Sequence, residues 1–405
     1  MSKRPNVLLA HPGTQYAPQL ARELFTRDAL SRFVTGFAIG DSSLFAAAER
    51  LMPARFKHRY ASRRLSVPAR KIDNFIGLEA SAIARLKLGA APEGVLHARN
   101  ESFQNAIPQN WIAEATHVIG FDTSSWILAQ RSAATERPFI LDRSIGHPRA
   151  KERIYEKVRA QFPEWVETIP GKKETQMESE DLEHRLATQI VVPSAFVRDT
   201  LIEYSVPAER ITIIPFGTNL DLFHPANVMP PATPVIFLYA GGLSARKGLP
   251  VLLRAWEQAN ISPRAELWLV GSGKLPQSAH RLQQVRHFGR VDQTKLAALM
   301  RRAHAFVFPS FFEGLAQVQI EALSSGLPVI GTYESGATEI VSEGETGFVV
   351  PAGSVSDLAD RMAKLAADTP ALARARDICI RTRERLSWRH YGDRWISLLD
   401  AIAQD

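Results

Sequence analysis

The chain has 405 residues, 45% of them hydrophobic, and a formal charge of +7, which is too long for one ordinary core and suits two α/β domains. The charge favours an anionic partner and leaves nucleic acid, a membrane surface and a phosphorylated substrate open. Cys379 stands alone, which excludes an intramolecular disulfide and fits a reducing compartment, and no window approaches the roughly 20 apolar residues of a membrane span.

The basic opening MSKRPNVLLAHPG reads as a first strand over residues 6–10 rather than a signal peptide, because its apolar run ends after a few residues. A soluble or surface-bound cytoplasmic protein is therefore expected. The turn His11-Pro12-Gly13-Thr14-Gln15-Tyr16 comes next, then a helix over 18–27. A glycine turn between a first strand and a first helix presents backbone amides at the carboxyl edge of a parallel sheet, where α/β folds bind ligands, although Pro-Gly is also a plain turn. A second strand is predicted over 33–39. Residues 50–72 then carry Arg50, Arg55, Lys57, Arg59, Arg63, Arg64, Arg70 and Lys71 with no acidic residue, interleaved with Leu51, Met52, Phe56, Tyr60 and Leu65. That mixture suits a segment lying on anionic lipid headgroups, at about 1 kcal/mol per basic side chain near the surface. A solvated loop and helix face is the plainer reading. Neither zinc-finger spacing nor an aromatic RNA-binding motif accompanies the stretch, so nucleic acid is not expected as a partner.

A helix over 78–88 follows, then strands over 118–121 and 139–141 separated by a helix containing Trp126. Helices over 149–162 and 178–186, a strand over 190–192, a helix ending near Tyr204 and a strand over 211–214 complete this half. The strand over 139–141 runs into Asp142-Arg143-Ser144-Ile145-Gly146-His147-Pro148, a polar, glycine-bearing loop at a strand's carboxyl end. His147 stands where a catalytic or substrate-contacting group would stand, or else serves a structural role. Pro215-Phe216-Gly217-Thr218-Asn219 and the proline-rich HPANVMPPATP over 224–234 mark a boundary. Strands over 235–240, 267–270, 285–288, 305–308, 328–331 and 348–350 then alternate with helices, as in a second parallel sheet. The tail over 387–403 is one more amphipathic helix.

The first strand of the second half leads into Gly241-Gly242-Leu243-Ser244-Ala245-Arg246-Lys247-Gly248-Leu249-Pro250. Pro250 suits the first turn of a helix, which puts Arg246 and Lys247 just ahead of a helix amino terminus and against its dipole. A diphosphate between the cations and the helix would resolve that conflict; two solvated cations on a flexible turn are the alternative. Val270-Gly271-Ser272-Gly273-Lys274-Leu275 is not a phosphate loop, since Gly271 stands too close to Gly273-Lys274 and no Ser or Thr follows the lysine. Gly271 is expected instead at a strand-end turn that lets a ligand approach. No Asp-x-Asp followed by histidine and no Cys/His cluster is present, so no metal site is predicted.

Residues 308–331, FPSFFEGLAQVQIEALSSGLPVIG, read as the end of a buried strand, a tight polar turn, a helix, a Gly-Leu-Pro stop and another strand. The reading starts the helix at Glu313, with the amides of Gly314, Leu315 and Ala316 beside it as an anion site. Glu321 then lies about 12 Å further along the axis. Ser310-Phe311-Phe312-Glu313 also matches a capping box, which accounts for Glu313 alone. It does not account for Glu321, whose neighbours Val318, Ile320, Ala322 and Leu323 are apolar. A carboxylate in that setting needs a donor, and ribose hydroxyls could supply one.

GGLSARKG, VGSG, HFGRV, FPSFFEGLAQVQIEALSSGLPVIG and ESGATEIVSEGETGFVVPAG occur in an order and spacing that resembles the retaining GT-B glycosyltransferases of family 4, over roughly residues 190–360. The amino-terminal half is similar mainly through the HPGTQY turn, the DRSIGHP loop and VPSAFVRDTL. The resemblance implies a GT-B fold, with two Rossmann-like domains whose parallel sheets face each other across a cleft and a terminal helix that crosses back. The expected division is 1–216 with helix 387–405 for the acceptor side, and 217–386 for the nucleotide-sugar side. By the same resemblance Glu313 lies near the donor sugar, Glu321 at the ribose, and Lys247 at the diphosphate. The arginine usual in the family is replaced by Gly242, and Arg246 stands where many members carry an acidic residue, placed to supply the lost charge. Gly13 resembles the turn that approaches the donor phosphates, His147 the histidine that touches the transferred sugar, and the Arg290 loop the segment that contacts the base. The implied reaction moves a sugar from a UDP-, GDP- or ADP-linked donor to a hydroxyl of a lipid-linked or polysaccharide acceptor. It retains configuration and needs neither metal nor further cofactor. A GT-B-shaped sugar-nucleotide epimerase or phosphorylase and a non-catalytic nucleotide-sugar-binding protein remain as alternatives.

Overall fold

The computed structural model describes residues 4–13, 15–41, 63–168 and 174–402. Among these residues the strands β1 (Val7–His11), β2 (Leu30–Thr35), β5 (Ile72–Asn74), β6 (His117–Phe121), β7 (Phe139–Asp142), β8 (Gln189–Val192) and β9 (Ile211–Ile213) form one sheet. Its order is β5-β2-β1-β6-β7-β8-β9, and every pair in it is parallel. The central strands are buried along their whole length, which is why they read as unbroken apolar runs rather than alternating ones. The strand expected over 33–39 is two elements. β2 ends at Thr35, and β3 (Ile39–Asp41) leaves the sheet to pair with β4 (Arg64–Pro68).

The second sheet is built from β10 (Val235–Ala240), β11 (Ala265–Val270), β12 (Val285–His287), β13 (Ala305–Phe308), β14 (Val329–Thr332) and β15 (Gly347–Val350). It runs β12-β11-β10-β13-β14-β15, again all parallel. One continuous apolar cluster underlies both sheets. Two helices that the sequence reading passed over, Pro92–Ala106 and Gln109–Glu114, precede β6. Each begins at or beside a proline, the position in a helix where a missing amide costs least.

The helix Trp388–Ile402 crosses back as expected and lies along Ala17–Thr26. Gly392 permits the close approach, because a Cβ there would sit 2.7 Å from Glu23 Cβ. Arg27 spans the seam, 2.6 Å from Asp393 and 2.7 Å from the Arg389 carbonyl. The Thr218 amide donates to the Leu386 carbonyl at 2.8 Å, so the outgoing and returning connections run side by side between the two sheets.

Residues 50–62 of the basic stretch lie outside the described residues. Its carboxyl end is structural: Leu65 and Val67 are buried, Lys71 Nζ donates to the Leu30 carbonyl at 2.8 Å and Arg63 to that of Phe37 at 3.3 Å. Among the described residues no helix is long and apolar enough to cross a membrane.

Candidate functional site

The loops at the carboxyl ends of β10 and β13 meet around one carboxylate. Ala245–Lys247 forms a single helical turn, and Gly248 adopts φ 73° ahead of the helix Leu249–Ala259, with Pro250 in its first turn as predicted. Glu313 Oε1 accepts from Arg246 Nη1 at 2.8 Å and also contacts Lys247 Nζ. Ser310 Oγ lies 3.3 Å from the same oxygen. Lys247 sits 5.2 Å over the Phe308 ring, and burial holds its ammonium below the ordinary value against the opposing pull of Glu313. The two cations that conflict with the helix dipole are thus gathered on a carboxylate 66 and 67 residues away in sequence. A diphosphate entering this loop would compete with Glu313 for them.

The structure corrects the helix start. Glu313 lies in a loop, and the helix spans Gln317–Ser324 with Ala316 at its cap and no capping side chain. The Glu313 amide donates to the Glu334 carbonyl at 2.8 Å and that of Ala316 to Ser335 at 3.2 Å, so these two amides are already committed and the expected anion site over 314–316 is incomplete. Gly314 serves a different end: its carbonyl accepts from Ser194 Oγ at 2.6 Å, and a Cβ there would lie 1.7 Å from the Ser144 carbonyl oxygen. The capping box assigned to Ser310 and Glu313 forms instead at Thr332 and Ser335.

Glu321, one turn into that helix, is 5% exposed, and burial pushes its carboxyl up to about 7. Among the described residues no hydrogen bond reaches its carboxylate. It lines a cavity of about 190 Å³ between the domains with Gln15, Tyr16, Thr218, Gln293 and Gln317. A larger cavity of about 740 Å³ under the 224–234 linker opens beside Ile236, Glu266 and His304, at the opposite ends of the strands from these loops.

The other expected residues lie on loops at the carboxyl ends of their strands, Gly13 after β1, Gly242 after β10, Gly271 after β11 and Arg290 after β12. The Gly13 amide donates to His11 Nδ1 at 2.9 Å. Gly271 donates to the Gly289 carbonyl at 2.9 Å, and a Cβ on it would lie 1.7 Å from the Gly241 carbonyl oxygen, so its close approach is to backbone. Arg290 is exposed on the turn ahead of the helix Gln293–Met300. A Cβ on Gly242 would meet nothing within 4 Å, leaving open space where the family's arginine would stand.

His147 is not brought to Glu313. Its backbone loop is: a Cβ on neighbouring Gly146 would lie 2.7 Å from Phe312 Cζ. The ring turns away, stacked on Tyr204 at 4.2 Å, with Nε2 3.4 Å from Asp181, in a cavity of about 380 Å³ shared with Arg149, His184, Arg185 and Arg210. His147, Asp181 and His184 offer ligand atoms within 4.8 Å of one another. However, His147 Nδ1 accepts the Arg149 amide at 3.2 Å, so the neutral ring carries its proton on Nε2, the nitrogen that faces Asp181. With arginines around it, this donor set fits a hydrogen-bonded cluster rather than a cation.

Sequence reading missed a second charge cluster at the carboxyl ends of β1, β6 and β7. His11 is held down to about 4 by burial, and Asp142 is raised to about 8 by burial while accepting from Tyr16 at 2.7 Å and Tyr391 at 3.3 Å. Arg143, 1% exposed, binds Glu180 and the carbonyls of Ile145 and Gly146, both at 2.7 Å. His11 and Tyr16 carried a signal as members of the HPGTQY turn, and Asp142 and Arg143 as members of the DRSIGHP loop, whereas Glu180 and Tyr391 carried none.

Residues 234–368 match the family described as glycosyl transferases group 1. Over 212 residues the chain is 30% identical to glycogen synthase of Mycobacterium tuberculosis, an overlap of 49% of this chain and 50% of that one; it spans about half the length of the curated relatives it matches first. In structure it is similar to sucrose-phosphate synthase from Thermosynechococcus elongatus (TM-score 0.65, 19% identity, 98% and 99% of the two chains). It also resembles HepE of Anabaena in complex with UDP and glucose (TM-score 0.63, 14% identity, 98% and 100%). The fold is the two-domain GT-B arrangement of these proteins.

Proposed function

We infer, from a carboxyl-terminal domain whose residues 234–368 belong to the glycosyl transferases group 1, that this chain transfers a sugar from a nucleoside-diphosphate donor to an acceptor hydroxyl. The observation that carries the reading is Glu321: a buried carboxyl with no described protein partner, facing a polar cavity between two Rossmann-like domains. Vicinal ribose hydroxyls are donors of the right kind, and they favour the ionised form. Arg246 and Lys247 then lie where the diphosphate would need charge neutralised, and electrostatic stabilisation of a leaving group commonly contributes more to the rate of such a reaction than any other effect. The acceptor oxygen bonds to the anomeric carbon on the face from which the diphosphate leaves. The carbon–oxygen bond to phosphate breaks and the hydroxyl proton passes to the departing phosphate oxygen, so configuration is retained. Glu313, released from its cations by the phosphates, orients the sugar.

The donor nucleotide is sought by thermal shift with UDP-, GDP- and ADP-sugars, then by mass analysis of products formed with membrane extract. Glu313→Ala and Lys247→Ala are each expected to lower turnover about a hundredfold or more; undiminished turnover in both overturns the site. The open position at Gly242 favours a second reading, a nucleotide-sugar-binding protein without turnover, which robust transfer excludes. Nucleotide release only on addition of acceptor excludes an epimerase. The basic stretch supports a lipid-linked or polysaccharide acceptor at the cytoplasmic face of a membrane. Charge reversal at Arg55 and Arg59 is then expected to weaken binding to anionic vesicles, and binding indifferent both to that change and to salt counts against it.

A further inference from the structure

Beyond the carboxyl end of β6 in the first domain lies a cavity of about 200 Å³ between the helices Pro92–Ala106, Trp126–Ala133 and Glu174–Leu186. The volume corresponds to about six or seven waters of liquid, enough for one sugar ring and too little for a lipid tail. One wall is aromatic: His97 and Trp126 stack with centroids 4.8 Å apart and planes at 5°. The rest is polar. Glu93 and Gln176 line the cavity, and among the described residues neither side chain has a hydrogen-bond partner.

On its lining Thr123 holds φ 67°, a left-handed conformation unusual for a side-chain-bearing residue. The strain is held from both sides: its amide donates to Glu183 at 3.0 Å and its carbonyl accepts from Asn100 at 2.8 Å.

The cavity is coupled to the donor loops by two routes. Glu180, on its rim, binds Arg143, which grips the 145–146 carbonyls of the loop that rests against Phe312. Lys151 lies within electrostatic reach of both Glu93 and Arg246. The carboxylates of Glu93 and Glu180 disfavour a phosphate inside, whereas unpartnered acceptors and an amide beside an aromatic wall suit ring hydroxyls.

We propose that this cavity is the acceptor subsite, and that it holds one uncharged hexopyranose ring through Glu93, Gln176 and the His97–Trp126 wall, so that the acceptor is recognised by its terminal sugar rather than by a phosphate. The proposal rests on the glycosyltransferase reading. It is tested by titrating the full chain, with and without UDP, against the methyl α-glycosides of glucose, galactose, mannose and N-acetylglucosamine and against inorganic phosphate, read by ligand-observed NMR. At least one glycoside is expected to bind saturably in the millimolar range. Glu93→Gln and Gln176→Ala are each expected to weaken it about tenfold, with UDP-sugar thermal shifts unchanged and melting transitions intact. Absence of saturable binding by every glycoside, binding indifferent to both variants, or displacement of the glycoside by phosphate overturns the proposal. Failure of all nucleotide sugars to bind, with glycoside binding intact, would instead overturn the glycosyltransferase reading.

Discussion

Burial raises the Glu321 carboxyl to about 7 from an ordinary 4.5, so in the absence of donor the folded chain holds this proton more tightly than the unfolded one. The stability linked to that proton is fully present below about 4.5 and lost as pH rises through 7. Glu321→Gln, which removes the charge and keeps the shape, is therefore expected to stabilise the protein by about 1–3 kcal/mol at pH 8 and by nothing at pH 4.5. Denaturant unfolding at the two pH values decides it, an equal difference at both being the contrary result. In the wild type, affinity for a nucleoside diphosphate should rise as pH passes through 7, because hydroxyl donors favour the carboxylate; in the Gln variant it should stay flat. The conflict behind this prediction was legible in the sequence, where a glutamate stands among Val318, Ile320, Ala322 and Leu323. What no local pattern could show is His11 facing Asp122, Asp122 lying beside Arg143, and Tyr391 bonding Asp142, since only the folded arrangement of strands and the returning helix brings these residues together.

At the scale of elements, the loop 309–316 stands where the sequence reading placed a helix tip. Four residues that could have been the first turn are drawn out of helical geometry by tertiary bonds: Glu313 to the 334 carbonyl, Ala316 to the 335 carbonyl, and Gly314 to Ser194. Capping propensity at Ser310 is a local preference of about 1 kcal/mol, and these bonds together outweigh it. Apart from β2 and β3, merged into one expected strand over 33–39, and β4 and β5, which were not read, the strands were readable to within one or two residues because apolar runs buried on both faces have sharp ends. The helix Pro92–Ala106 was not, since its sequence PEGVLHARNESFQNA has scattered apolar positions and only Val95, Asn100, Phe103 and Gln104 buried. Gly314 gives the loop a sharp test. A methyl group 1.7 Å from the Ser144 carbonyl cannot be fitted without moving one loop. Gly314→Ala is expected to cost about 1–3 kcal/mol and to weaken donor binding. Gly77→Ala, in a helix where the added carbon meets nothing within 4 Å, should cost nothing. Equal melting temperatures for the two variants would show that the loops do not meet as described.

Across the whole molecule, the proposed donor cleft takes residues from both domains, so on that reading their mutual position is part of the site. The helix Ala195–Glu203 carries that seam. Its first amide, at Ala195, donates across the interface to Glu339 at 2.8 Å, Ser194 bonds Gly314, and Asp199 accepts from Tyr333. A carboxylate from one domain thus caps a helix of the other, satisfying an orphan amide and opposing the positive end of the dipole. Glu339→Ala leaves that amide without its acceptor and removes one of the three bonds nearest the donor loop, a loss of about 1–2 kcal/mol charged to the closed arrangement. If open and closed arrangements are in equilibrium, the variant shifts toward the open one and a ligand that needs both walls must draw it back. The radius of gyration of Glu339→Ala, measured by small-angle scattering, should exceed that of the wild type without nucleotide and converge on it at saturation. Nucleotide affinity should fall roughly 5- to 30-fold, as the same free energy dictates. An unchanged radius together with weakened binding would mean that Glu339 acts on the cleft locally. An unchanged affinity would mean that the first domain contributes nothing to holding the donor, and the two-walled cleft would have to be abandoned.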